Sequence, residues 1–271
     1  MSKREKYENG LLSIRFTGEQ LKTHGVSIYD LSQSLLAIQR IIHKAYLAKN
    51  DRLKKGSFPT REERPGLALQ LGERRRSSDA FALVPILADP ATQENLKQII
   101  QYVLSGVVGY YTGNVLDRIH KEKDDNKKIF IGSIYTEVAN IVNRVDTTGG
   151  VEGISLGSPL LQQETVAAFT SNTKDYLVEL KEETYLGSYQ EIKGRVYKLY
   201  PASNIVAIRR SGGNTVTVFL TPKDFETVRY HQERNPLFLF KGHPIYKFGI
   251  ETKTVTEFDA DAIVHIEDEE S

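Results

Sequence analysis

The chain of 271 residues has no cysteine. That excludes disulfide scaffolds, cysteine-bearing zinc sites, iron–sulfur clusters and thiol nucleophiles, and it fits a reducing compartment. Motif-borne catalysis is missing as well. No G-x-S-x-G marks a nucleophile elbow, no Gly-Lys-Ser/Thr completes a P-loop, and no G-x-G-x-x-G joins a strand to a helix. His24, His43, His120, His231, His243 and His265 never stand four residues apart, and no H-E-x-x-H occurs. A zinc hydrolase therefore has no support, and neither a metal nor a cofactor is expected. The stretch Met1 to Gly10 is polar and mixed in sign, without the apolar run of a signal peptide, so a cytoplasmic protein is expected. Gln98 to Leu116 carries no formal charge for 19 residues. Gln98, Gln101, Ser105, Thr112 and Asn114 interrupt its apolar positions, which argues against a membrane span.

What is present is ordinary globular material. Hydrophobic residues make up 39% and charged residues 26%, enough to build a core and too apolar for a wholly disordered chain. At about 150 residues per domain the length favours two domains. The net charge is only +1, yet it is unevenly spread: 16 Lys and Arg against 10 Asp and Glu in residues 1–89, then 20 against 25 in residues 90–271. Such asymmetry fits either a first half that faces a polyanion or complementary docking of the two halves.

Leu12, Ile14 and Phe16 alternate with polar residues, the period of a strand with one buried face. Leu31, Leu35, Ile38 and Ile42 then mark an amphipathic helix over 28 to about 49, capped by Ser27 or Asp30. Asn50 to Gly66 reads as a long exposed loop, and Leu67 to Leu87 as a hairpin. Asp89 and Pro90 open a long helix with an apolar stripe from Leu96 to Val108. Gly106, Gly109 and Gly113 lie within or just past it and point to a close backbone approach, a partner interface. His120 to Lys128 reads as a solvated link, Ile134 to Val145 as one more helix, and Thr147 to Pro159 as loop or short strand. Short helices are expected over Leu160 to Phe169 and Thr173 to Glu182.

From about Tyr189 the texture changes to short β-branched and aromatic runs between turns. Strands are expected over Glu191 to Tyr200, Asn204 to Arg210, Thr215 to Thr221, Leu237 to Lys241, Pro244 to Glu251, and Val255 to Phe258 with Ala262 to Ile266. Ser211 to Asn214 is the strongest hairpin turn, and Thr221-Pro222 with Asp224 starts a short helix through about Arg229. The expected fold class is α+β: an antiparallel sheet with amphipathic helices over 1–187, followed by a small all-β barrel over 188–271.

Chemistry concentrates in two places. Arg52, Lys54, Lys55, Arg61, Arg64, Arg74, Arg75 and Arg76 crowd the long loop and the hairpin turn, where they could meet phosphates; Glu62, Glu63 and Glu73 dilute the patch. The β region mixes Tyr197, Tyr200, Phe219, Phe238, Phe240, Tyr246 and Phe248 with Lys193, Arg195, Lys198, Arg209, Arg210, Lys241 and Lys247. Aromatics among cations on a barrel can stack bases, but the same rings can fill a barrel interior, the reading preferred here. Asp259, Asp261 and His265 are close enough in sequence for a cation or an acid–base set, although a capped turn explains them as well.

The opening L-S-I-R-F-T-G at Leu11 to Gly18, the helix Ile28 to Ala48, the hairpin ending at Leu87 and the closing β module together resemble uncharacterised bacterial two-part proteins, an α+β unit joined to a C-terminal small barrel. The resemblance implies a place in accessory or phage-defence gene clusters and brings no catalytic residues with it. The leading expectation is a non-enzymatic binding or assembly protein, a homo-oligomer or one with a protein partner. Nucleic-acid binding through residues 52–76 is the first alternative, and a nucleotide-acting hydrolase the second.

Overall fold

Strand β1 (Leu12–Thr17) forms where the alternation places it, with Leu12, Ile14 and Phe16 buried. The computed structural model describes residues 10–54, 56–74, 79–87, 89–106, 111–113, 115–159, 162–231, 236–249 and 255–266. After a short helix α1 (Leu21–His24), α2 (Ile28–Lys49) starts at Ser27, whose hydroxyl accepts the Asp30 amide at 3.0 Å and donates to the Asp30 carboxylate at 2.6 Å. That side-chain cap satisfies an amide the helix leaves unpaired. One turn, α3 (Arg64–Leu67), leads into the hairpin β2 (Leu69–Arg74) and β3 (Asp79–Pro85). Helices α4 (Pro90–Gly106), α5 (Val115–Lys121), α6 (Asp125–Ser133) and α7 (Tyr135–Val142) follow. Strands β4 (Gly153–Ser158) and β5 (Gln163–Phe169) and helix α8 (Ser171–Leu180) complete this unit.

Its sheet runs β2-β3-β1-β4-β5, antiparallel throughout. The helices cover one face: Leu12 and Leu156 of the sheet meet Ile38, Ile41 and Ile42 of α2 and Ile100, Val103 and Leu104 of α4 around a small apolar void. Three expectations are corrected. Residues 163–169 are a strand, not part of a helix over Leu160 to Phe169, because pairing with β4 buries Ala167 and Phe169 on alternate positions. The helix expected from Ile134 to Val145 is α7, preceded by α6 with a break at Ile134, whose ψ is 0°. His120 to Lys128 is not simply a solvated link: Lys128 is buried in α6, its Nζ 3.3 Å from the Leu186 carbonyl and 3.6 Å from Asp125.

The second sheet begins at β6 (Thr184–Leu186), a strand without a sequence signal of its own, a little before the expected break at 187/188. It continues through β7 (Gln190–Tyr200), β8 (Ile205–Arg209), β9 (Thr215–Phe219), helix α9 (Pro222–His231), β10 (Leu237–Lys247) and β11 (Glu257–Ile266). The order is β11-β9-β8-β7-β10-β6, and β11 also pairs with β10, so five strands close a barrel with β6 added to the far end of β10. Closure leaves those five without a free edge. Ile192, Val206, Ile208, Val216, Val218, Phe238, Phe240 and Phe258 fill the interior, with Phe225 and Val228 of α9. The two strands expected on either side of Gly242 are one. The ladder shifts register between Lys241 and Gly242, where a side chain on Gly242 would overlap the Asp259 carbonyl.

The two units meet along a dense seam. Tyr185, Tyr246 and Phe248, all from the second sheet or its margin, pack into the hydrophobic core of the first unit. Gly132 of α6 lies flat against the Tyr185 ring, leaving no room for a Cβ, and its carbonyl accepts the Gly249 amide at 2.8 Å. Asp125, in the first turn of α6, accepts the Ser188 amide at 2.9 Å and the Ser188 hydroxyl at 2.9 Å. Burial pushes the Tyr246 hydroxyl up to about 12 and that of Tyr185 higher still, so both stay neutral.

Candidate nucleic-acid interface

Among the described residues, two of the candidate cations of the first unit are already held by local partners. Arg52 is bound at 2.6 Å and 3.3 Å by both oxygens of Glu63, which also accepts the Tyr46 hydroxyl and the Thr60 amide. The guanidinium and these donors hold the Glu63 carboxyl down at about 2. Arg64 donates through Nε to the Pro59 carbonyl at 3.1 Å. Lys54 and Arg61 are exposed, and Arg74 ends β2. Lys55, Arg75 and Arg76 lie outside the described residues. The long loop is thus an organised structure pinned by Glu63, with an open hollow beside Arg52, Lys54 and Phe58.

The glycines expected to mark a partner interface are placed differently from one another. Gly106 is the last described residue of α4, and Val107, Val108 and Gly109 lie outside the described residues. Gly113 has φ +153° with open space where a side chain would stand.

On the barrel, the structure separates two sets of rings that sequence mixes. Phe238, Phe240, Tyr246 and Phe248 are buried. Tyr197 and Tyr200 point outward, 48% and 40% exposed. The reason is register. Val196 faces inward opposite Ile208, the ladder slips between Val196 and Lys198, and beyond the slip Leu199 resumes the inward set opposite Val206. Tyr197, next after Val196, is outward by ordinary alternation, and the slip turns Lys198 and Tyr200 outward too, opposite Ala207 and Ile205. Each ring is met by a cation: the Arg209 guanidinium 5.3 Å from Tyr197, and Lys198 Nζ 4.7 Å from Tyr200. The Tyr200 hydroxyl beside Lys198 raises its ammonium above the ordinary lysine value. Arg195 stands opposite Arg209 in the same outward row, and Lys193 follows on the same face of β7. After Tyr200 the chain makes a single 3-10 turn (Pro201–Ser203) and a left-handed Asn204, whose carbonyl accepts the Leu220 amide at 3.0 Å and ties the loop to the end of β9.

Asp259, Asp261 and His265 do not form one cluster. Asp261 lies 3.8 Å from His243, whose Nδ1 meets the Gly187 carbonyl at 2.8 Å, while His265 stacks on His231 with centroids 4.7 Å apart. Among the described residues no three His, Asp or Glu side chains are gathered for a metal ion. Among them, too, no helix is long and apolar enough to cross a membrane.

Counting barrel strands from β7, the order is first-second-third-fifth-fourth and back to the first, with third and fifth parallel and a helix between third and fourth. That is the arrangement of the oligonucleotide/oligosaccharide-binding barrel. No family model matches the chain, and no curated protein matches it at a significant level. Among solved structures it is similar to a chain described as the structure of U. maydis Replication protein A bound to ssDNA, at 19% identity and a TM-score of 0.21. The match covers 31% of this chain and 63% of that chain, less than two thirds of its length. With superposition this loose, strand order alone carries the fold assignment.

Proposed function

We propose that the protein is a non-enzymatic binding protein whose barrel holds single-stranded nucleic acid across the outward face of β7 and β8. The observation that carries this reading is the pair of exposed tyrosines, Tyr197 and Tyr200, each covered by a cation on the first strand of such a barrel. Barrels of this order bind oligonucleotides near their second and third strands and the loop after the first. Tyr200 opens that loop here, and Arg209 sits on the second strand. Stacking needs a base whose face is free, which a duplex interior does not offer. On binding, a base replaces the cation on each ring, and Arg209 and Lys198 turn to the flanking phosphates, where Arg195 and Lys193 extend the positive track. A role in a bacterial accessory or defence system is part of the proposal and rests on the resemblance of the two-part architecture alone.

Fluorescence anisotropy with a labelled oligothymidine at two salt concentrations tests it. Tyr197→Ala and Tyr200→Ala should each weaken binding by about 1–3 kcal/mol, the usual worth of one base–aromatic stack. Arg209→Ala should lower the slope of log affinity against log salt by about 0.7, one phosphate contact on a single strand. Affinity indifferent to both tyrosines, or a duplex of the same sequence bound more tightly, overturns the reading.

A further inference from the structure

The barrel carries a second outward surface. On β10 and β11 the inward set is Phe238, Phe240 and Ile263, with the His265 ring tilted against Phe238. The alternate positions face outward and are aliphatic: Leu237 pairs with Ile266, and Leu239 with Val264. Outward strand positions on a closed barrel are ordinarily polar, because one face already fills the interior. Among the described residues none of these four belongs to either hydrophobic core; Val264 is 44% exposed, and Leu237, Leu239 and Ile266 are half-buried. The ladder to β7 places cations along their border, since Leu237 lies opposite Arg195 and Leu239 opposite Lys193. Arg209 continues the row one strand further. Lys241 marks the end of the strip on β10, in an ion pair with Glu191 at 2.8 Å. An aliphatic strip beside a row of cations is complementary to a segment that presents leucine-like side chains on one face and carboxylates on the next.

We infer that the outer face of β10 and β11, bounded by Lys193 and Arg195, docks an acidic amphipathic segment of a partner protein, an interaction whose aliphatic anchors are distinct from the tyrosines of the proposed function and which shares with it only these bordering cations. Apolar contacts with Leu237, Leu239, Val264 and Ile266 anchor the segment, and Lys193 and Arg195 fix its direction through its acids.

The test uses the full chain and a labelled helical peptide with leucines at i, i+3, i+4 and i+7 and aspartate or glutamate on the adjoining face. The peptide should bind, and its Asp/Glu→Asn/Gln counterpart should bind at least about tenfold more weakly. The double substitution Leu239→Ser with Val264→Ser should cost a similar factor while leaving oligothymidine affinity unchanged. Tyr197→Ala should do the reverse, which keeps failure of this interface distinguishable from failure of the nucleic-acid reading. If the serine variant melts early, the single substitution Val264→Glu at the exposed position replaces it and should weaken the acidic peptide by about tenfold while leaving oligothymidine affinity unchanged. No binding of the acidic peptide, equal binding of the neutral one, indifference to Val264→Glu, or parallel loss of peptide and oligothymidine in the serine variant overturns the inference.

Discussion

The two units use their polar side chains in opposite ways. Every buried polar or charged side chain among the described residues belongs to the first unit: Ser13, Ser34, Lys44, Lys128, Ser133, Glu137, Ser158 and Thr173. Lys44 of α2 and Glu137 of α7 form an ion pair at 2.6 Å with side chains 10% and 7% exposed, and Lys44 also donates to the Ser133 carbonyl at 2.7 Å. The barrel interior between β7 and β11 is aliphatic and aromatic, apart from His265 at its margin. Its cations and two of its tyrosines face outward. Charge inside the helical layer fixes which helix faces which, because a mispaired arrangement would strand a buried ion. Charge outside the barrel stays at the surface, some of it already paired, as Lys241 is with Glu191 and Lys247 with Glu257.

The contrast breaks first at the ion pair. Lys44→Met should destabilise the protein by about 3–5 kcal/mol by leaving Glu137 buried and unpaired, and adding Glu137→Leu should recover most of that loss; chemical denaturation checks both. A barrel that keeps its own melting transition in Lys44→Met would sharpen the division between the units. Gly132→Ala comes next. The added methyl meets the Tyr185 ring, and overpacking of this kind costs about 1–3 kcal/mol, read by calorimetry as an earlier or split transition. Tyr197→Ala and Tyr200→Ala should change stability by no more than about 0.5 kcal/mol, as exposed positions usually do, so a larger fall in the melting temperature would contradict their outward role. The smallest effect is local. Because the folded Glu63 carboxyl sits at about 2 against an ordinary 4.5, its contribution is complete above pH 4.5 and is lost as pH falls toward 2. Hydrogen exchange in the loop from Asn50 to Gly66 should rise over that window, and in Glu63→Gln it should be high at every pH.

Much of the fold was legible because it rests on periodicity. The two-residue alternation at Leu12, Ile14 and Phe16, the stripe of α2, the Ser211 to Asn214 turn and the proline-started α9 are local patterns, and each became the element expected. The misses were set by tertiary pairing. Residues 163–169 became a strand only because β4 lay alongside, and β6 is three residues long and exists through its pairing with Ile245 to Lys247. The candidate site was half legible. Sequence found its tyrosines and cations, but an outward Tyr200 depends on a one-residue slip in the ladder that no spacing rule announces. A strict alternation from Ile192 would have put Lys198 and Tyr200 in the interior, a burial that Lys198 at least resists. Arg52 looked available because its partner, Glu63, stands eleven positions away across a folded loop.

The seam at Gly132 also has a mechanical meaning. The carbonyl of Gly132 holds Gly249 where β10 leaves for β11, and Asp125 of the same helix clasps Ser188 just before β7. The chain before β7 and the chain after β10 are thus both riveted to one helix, so a force applied to that end of the barrel is delivered straight into the helical layer.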